Sequence, residues 1–203
     1  MQTRVLVFAS VLVWSAVAGC NCTDVNSEEQ AARAYLGIDP GVERALRLGF
    51  QGFNAASSAN IPTQNEAGAT SGTMEVSGQV DQGSSDNKTM NLDVKLTDYA
   101  DPVTKLHEDD PDYEVVYSTS DGAPLALDLK LMNVPNGTLT GTLVGTVVME
   151  KDLTGNLQLN LAFSGQIEES PAGSGKTARK AGTIHVTGTA TSDAGEYQVD
   201  VTR

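Results

Sequence analysis

The chain has 203 residues, with 26 acidic against 13 basic side chains and a formal net charge of −13. That length suits one domain plus a leader and a linker. So acidic a chain is repelled by nucleic acid and by anionic headgroups, so neither is expected as a partner.

Residues 1–4 supply one positive charge, Arg4, and residues 5–18 are apolar or small apart from Ser10 and Ser15. The run is too short for a membrane span, which needs about 20 apolar residues. It fits the hydrophobic region of a signal peptide. It ends in Val17-Ala18-Gly19-Cys20. This stretch resembles the lipobox of bacterial lipoproteins, with Val17 in the place most often held by Leu. The resemblance covers about a tenth of the chain. It implies cleavage between Gly19 and Cys20, a diacylglyceryl thioether on Cys20 and an N-acyl chain such as palmitate. Each buried methylene contributes about 0.8 kcal/mol, so two or three chains anchor stably where one does not. Asn21 follows, not the Asp that retains such proteins in the inner membrane, and this points to the outer membrane. An ordinary secretory signal cut near Gly19 is the alternative. Cys22 is the only other cysteine, so no disulfide framework is expected.

Residues 20–38 read as a tether with a possible short helix: Ser27-Glu28-Glu29-Gln30 opens it and Gly37 closes it. Asp39-Pro40 then restarts a helix, as N-cap and first helical residue. Val42, Leu46, Gly49, Phe50 and Phe53 recur at three- and four-residue intervals, predicting an amphipathic helix over 39–58. Residues 55–71 are rich in Ala, Ser, Asn, Thr and Gly and read as a linker.

From Thr70 the period changes to two. Alternating stripes predict strands over 74–80, 90–97, 114–118, 125–131, 139–149, 157–167, 184–190 and 197–201. Asn136-Gly137 reads as a hairpin turn. The expected fold is mainly β: a curled antiparallel meander sheet or barrel-like fold of seven to eight strands, with the amphipathic helix against its apolar face. Residues 39–203 would form one domain, and its core would come from Leu, Val, Ile, Met, Ala and Phe, since Trp14 lies in the leader.

Val76-Ser77-Gly78-Gln79-Val80 recurs as Phe163-Ser164-Gly165-Gln166-Ile167, with looser copies around Gly141 and Gly188. Glycine in mid-strand weakens a strand but permits bending or close backbone approach. Sheet curvature is the first reading. A smooth apolar groove bounded by Gly78, Gly141, Gly145, Gly165, Phe50 and Phe53 is the second.

Signals for chemistry are sparse. Gly173-Ser174-Gly175-Lys176-Thr177 resembles part of a phosphate loop, but Ser170 stands where its first glycine belongs, and it lies between strands. No nucleotide is expected. Asp109, Asp110 and Asp112 form the densest acid and are a weak cation candidate; their spacing matches no calcium loop. Two histidines, His107 and His185, and no cysteine in the body leave no zinc set and no nucleophile elbow. No catalytic residue and no cofactor is assigned. The expected function is a non-catalytic binding or structural module of the bacterial envelope, held to the outer membrane at Cys20 and engaging an envelope protein or polymer. The alternatives are a carrier for an apolar ligand such as an acyl chain, which requires a roomy interior, and a hydrolase, which requires a histidine with a carboxylate and a hydroxyl in a cleft.

Overall fold

In the computed structural model, residues 23–81, 83–120 and 123–203 are described. The leader, Gly19, Cys20 and Cys22 lie outside them. A two-residue strand, β1 (Thr23–Asp24), precedes one continuous helix, α1 (Glu28–Ala55). Ser27 caps the helix in extended conformation, its hydroxyl accepting from Gln30 N. Gln30 Oε1 accepts in turn from Asn26 N at 2.8 Å, and Glu28 and Glu29 fill the first turn, where carboxylates oppose the helix dipole.

The expected break at Gly37–Pro40 does not occur, and the tether reading of 20–38 is corrected with it. Residues 28–38 belong to the core: Ala31, Ala34, Tyr35, Leu36 and Ile38 are buried. A proline inside a helix costs about 3 kcal/mol. Here burial on both sides of Pro40 outweighs that cost, and Asp39 is drawn into a buried ion cluster instead of capping. Gly37 does not end a helix; it makes room. A Cβ there would lie 2.2 Å from Tyr117 Oη, which donates to Ala34 O at 2.7 Å.

Ten strands follow: β2 (Asn60–Ala67), β3 (Ser71–Val80), β4 (Lys88–Ala100), β5 (Val115–Thr119), β6 (Leu125–Met132), β7 (Gly137–Lys151), β8 (Leu153–Glu169), β9 (Thr177–Arg179), β10 (His185–Ser192) and β11 (Gly195–Thr202). Apart from the parallel pair β1–β8 they form an antiparallel meander of one sheet. The sheet holds eleven strands rather than seven or eight, yet its path from β2 to β11 has only eight positions. β5 and β6 share the position between β4 and β7, and β9 and β10 share the edge of β8.

Three strands escaped the pattern. β1 and β9 are too short to show a period. β2 was read as linker because its sequence is polar and carries Pro62, and only Ile61 on it is buried. Those are the traits of an edge strand. β2 and β11 do not pair with each other, and α1 contacts both. The sheet is therefore curled and open. The Asn136-Gly137 turn is also displaced: the β6–β7 reversal runs through residues 133–136, and Gly137 already pairs with Ile167.

One core joins helix and sheet. The clean stripes bury as expected, β6 alternating strictly from Leu125 to Leu131. The aromatic content of the core differs from expectation, because three tyrosines, Tyr35, Tyr99 and Tyr117, are its largest fully buried side chains. Phe50 and Phe53 are only partly buried. Each tyrosine hydroxyl has a partner (Asp39, Asp101 and Ala34 O), so a polar tip inside is tolerated.

Candidate functional site

The interior between helix and sheet is filled. The space among Ile38, Gly41, Val42, Ala45, Met74 and the leucines of β4, β6 and β7 is about 10 Å³, less than a ligand of any kind. At that point of the core there is no room for an acyl chain. The glycines expected to form a groove have another use. A Cβ at Gly78 would lie 2.1 Å from Asn91 O, one at Gly141 2.3 Å from Asp128 O, and one at Gly165 2.6 Å from both Thr183 O and Ile184 Cδ1. Each pairs with a large apolar residue on a neighbouring strand: Gly78 with Leu92, Gly141 with Phe163, Gly145 with Leu159 and Gly165 with Leu139. Small facing large is how a strongly curled sheet fills its interior. These four do not gather with Phe50 and Phe53 into one surface, so the composite groove is corrected to curvature at the glycines and a separate cleft at the phenylalanines.

That cleft, of about 440 Å³, lies at the C-terminal end of α1. Phe50 and Phe53 form its helix wall, Val134 and Pro135 of the β6–β7 turn face them, and Lys88, Lys176 and Arg47, the last paired with Glu66, contribute the cations. The loops around it are tied together. Val134 N donates to Asp86 O at 2.7 Å, Asn133 N to Asn87 Oδ1 at 3.0 Å, and Glu169 N to Asn136 Oδ1 at 3.0 Å. Lys88 is 7% exposed, and among the described residues it is the only buried cation. Its ammonium lies 4.8 Å from the Phe53 ring centroid and donates to Gly83 O, and it forms no ion pair with a described carboxylate. Sequence reasoning passed over Lys88 because it begins an ordinary amphipathic strand; only its register beside Phe53 reveals it.

Lys176 belongs to the phosphate-loop-like turn, which joins β8 to β9 with no helix following. Gly175 N–H donates to Glu169, and the Gly175 and Gly173 amides hold the Glu169 carboxyl below the usual carboxylate range. The turn is occupied by the chain's own acid.

The other charges flanking α1 are paired. Asp39 Oδ1 accepts from Arg179 Nη1 at 2.8 Å and from the Tyr35 hydroxyl at 2.5 Å, and Oδ2 accepts from Arg203 Nε at 3.3 Å. Burial alone would raise the Asp39 carboxyl, but Arg179, Tyr35 and Arg203 together outweigh it and the carboxyl is held below its ordinary value. Burial, reinforced by Asp39, pushes the Tyr35 phenol well above its ordinary value. Glu43, on the cleft wall, pairs with Arg179 at 2.9 Å. Arg44 holds Asp101 at 2.8 Å, and Arg47, which also borders the cleft, holds Glu66 at 2.6 Å.

The acidic loop does not converge on a cation site. Asp110 is taken by Arg33 at 2.8 Å and Asp112 by Lys105 at 2.8 Å, and each partner lowers the carboxyl it holds. Asp109 is exposed, and among the described residues no group of three or more His, Cys, Asp and Glu side chains is placed to hold a metal ion. His107 is exposed in that loop. His185 Nε2 lies 2.7 Å from Asp200 Oδ1, a cross-strand pair in which both side chains are at least half exposed. Compared with protein-family models, curated proteins and solved structures, the chain matches none.

Proposed function

We propose that the protein is a lipid-anchored, non-catalytic binding module of the bacterial cell envelope, held at Cys20 to the outer membrane. The observation that carries this is Val17-Ala18-Gly19-Cys20 at the end of a short apolar run. The spacing adds support: β1 already pairs with β8 from Thr23 and Val25 is buried, so two residues, Asn21 and Cys22, separate Cys20 from the packed domain. The three Cα steps from Cys20 to Thr23 reach at most about 11 Å when extended, which keeps the domain close to the bilayer. Among the described residues no helix is long and apolar enough to cross a membrane. On this reading the lipid attaches, and the cleft at the end of α1 binds.

The anchor is tested with Cys20→Ala. The variant should leave the membrane fraction and lose labelling by an alkyne fatty-acid probe, while its melting temperature stays that of the lipid-free domain. Unchanged retention and labelling would refute attachment at this residue.

A further inference from the structure

We infer that the cleft at the C-terminal end of α1 binds a small amphipathic anion, a carboxylate or phosphate monoester carried on a short apolar body. The argument begins with the overall charge. In a chain with twice as many acids as bases, cations are readily neutralised, and Arg33, Arg44, Arg47 and Arg179 all are. Lys88 is the exception that is also buried. Lysine is almost never fully buried unless paired. Its ammonium has three donors, and one described acceptor, Gly83 O, meets it. The Phe53 ring face partly compensates the charge but accepts no full hydrogen bond. An anion beside Lys88 would complete the set.

The neighbouring acids do not compete for that place. Glu43 is committed to Arg179, Glu66 to Arg47 and Glu169 to the Gly175 amide. Lys176, on the opposite lip, is exposed and forms no ion pair with a described acid. The remaining wall is apolar: Phe50, Phe53, Val134 and Pro135. A volume of about 440 Å³ is in the range of small-ligand sites, which combine mostly apolar walls with a few placed polar groups. Two cations without a described carboxylate partner bordering such a wall select an anionic head with an apolar body. A free metabolite and a lipid headgroup both present that chemistry.

The inference rests on the binding-module reading and not on the anchor. The full chain carrying Cys20→Ala is therefore titrated calorimetrically with octanoate, octyl phosphate, octanol and octylammonium. The two anions should saturate one site, octanol should bind at least tenfold more weakly, and octylammonium should not bind. Lys88→Met should lower octanoate affinity at least tenfold and leave octanol unchanged; Lys176→Gln should lower it a few-fold. Phosphatidylcholine vesicles with and without phosphatidic acid identify the source. Binding that requires phosphatidic acid and is lost in Lys88→Met assigns a headgroup, whereas binding of the free anions alone assigns a metabolite. Equal affinity for octanol and octanoate, full octanoate affinity in Lys88→Met, or no binding of any anion overturns the inference. Should Lys88→Met fail to fold, Lys176→Gln decides: an unchanged preference for octanoate over octanol in that variant overturns it.

Discussion

The middle and the end of α1 handle charge in opposite ways. Around Asp39, near mid-helix, one carboxylate is shared by Arg179, Arg203 and Tyr35, all from within the fold. Around Phe53, about four turns later, Lys88 is buried with an aromatic face and one carbonyl. The first cluster is closed, with every strong donor meeting an acceptor. A cleft borders each cluster, and only in the second does an ammonium keep donors beyond its one described acceptor. Both sit where the helix meets loops of the sheet, so packing does not distinguish them. Completeness of pairing does: a closed cluster can only hold the fold, while an open one has capacity left for a ligand.

The largest expected effect of breaking this contrast is at the closed cluster. Asp39→Ala leaves two guanidiniums without their carboxylate in a site where Asp39 is 4% exposed. Removing one member of a buried ionic set costs about 3–5 kcal/mol. At about 2–4 °C per kcal/mol for a domain of this size, the melting temperature should fall by about 6–20 °C, read by calorimetry. The same cluster sets a pH dependence. The Asp39 carboxyl is lower in the folded than in the unfolded chain, so its stabilisation is complete above the unfolded carboxyl value of about 3.9 and is lost as pH falls through the folded value. Asp39→Asn should therefore have a flatter acid limb than the parent below about pH 4. An identical acid limb would mean that Asp39 keeps the same proton affinity folded and unfolded.

The next effect separates close approach from helix propensity. Gly37→Ala gains about 1 kcal/mol of propensity in isolation. Its Cβ would meet Tyr117 Oη at 2.2 Å, so the ring must shift and its bond to Ala34 O is lost. Overpacking costs about 1–3 kcal/mol, and an unsatisfied buried hydroxyl about 1–3 more. The net expectation is destabilisation by about 1–5 kcal/mol. Tyr117→Phe on top of Gly37→Ala should recover part of it, a coupling that a double-mutant cycle measures. A stabilised Gly37→Ala would show that propensity governs this stretch.

Why parts of the fold were legible follows from the same physics. Strands with one buried face print a period of two, so β3, β4, β6, β7, β8, β10 and β11 are readable from Met74 to Val201. β2 prints none, because an edge strand packs through one residue, Ile61. The helix was divided at Gly37 and Pro40 because local rules place caps there. Tyr117, 80 residues downstream of Gly37, and Arg179, 140 beyond Asp39, settle the conformation, and no local window contains them. The cleft was half legible: Phe50 and Phe53 stood out by spacing and Lys176 by its turn, but nothing in the sequence brings Lys88 to them. The acidic loop misled for the converse reason, since its density gives no sign that Arg33 and Lys105 occupy it.

The smallest expected effect is the sharpest test of the contrast. If Lys88 were part of a closed structural cluster, its loss would cost as much as that of Asp39. If it is held ready for a ligand, the empty protein loses little. Lys88→Met keeps most of the apolar stem, which is where the packing lies. It removes a cation–π contact of about 0.5–1 kcal/mol and a hydrogen bond to Gly83 O of about 1 kcal/mol. Against this, it relieves the desolvation of a buried ammonium that has no described carboxylate partner, a cost of comparable size or larger. The C-terminal end of α1 has no basic residue in its last turn, so the lysine charge also complements the helix dipole by about 0.3–1 kcal/mol. These contributions nearly cancel, and the melting temperature of the ligand-free variant should stay within about 3 °C of the parent. A fall as large as that of Asp39→Ala would place Lys88 with the structural charges and make the middle and the end of the helix alike.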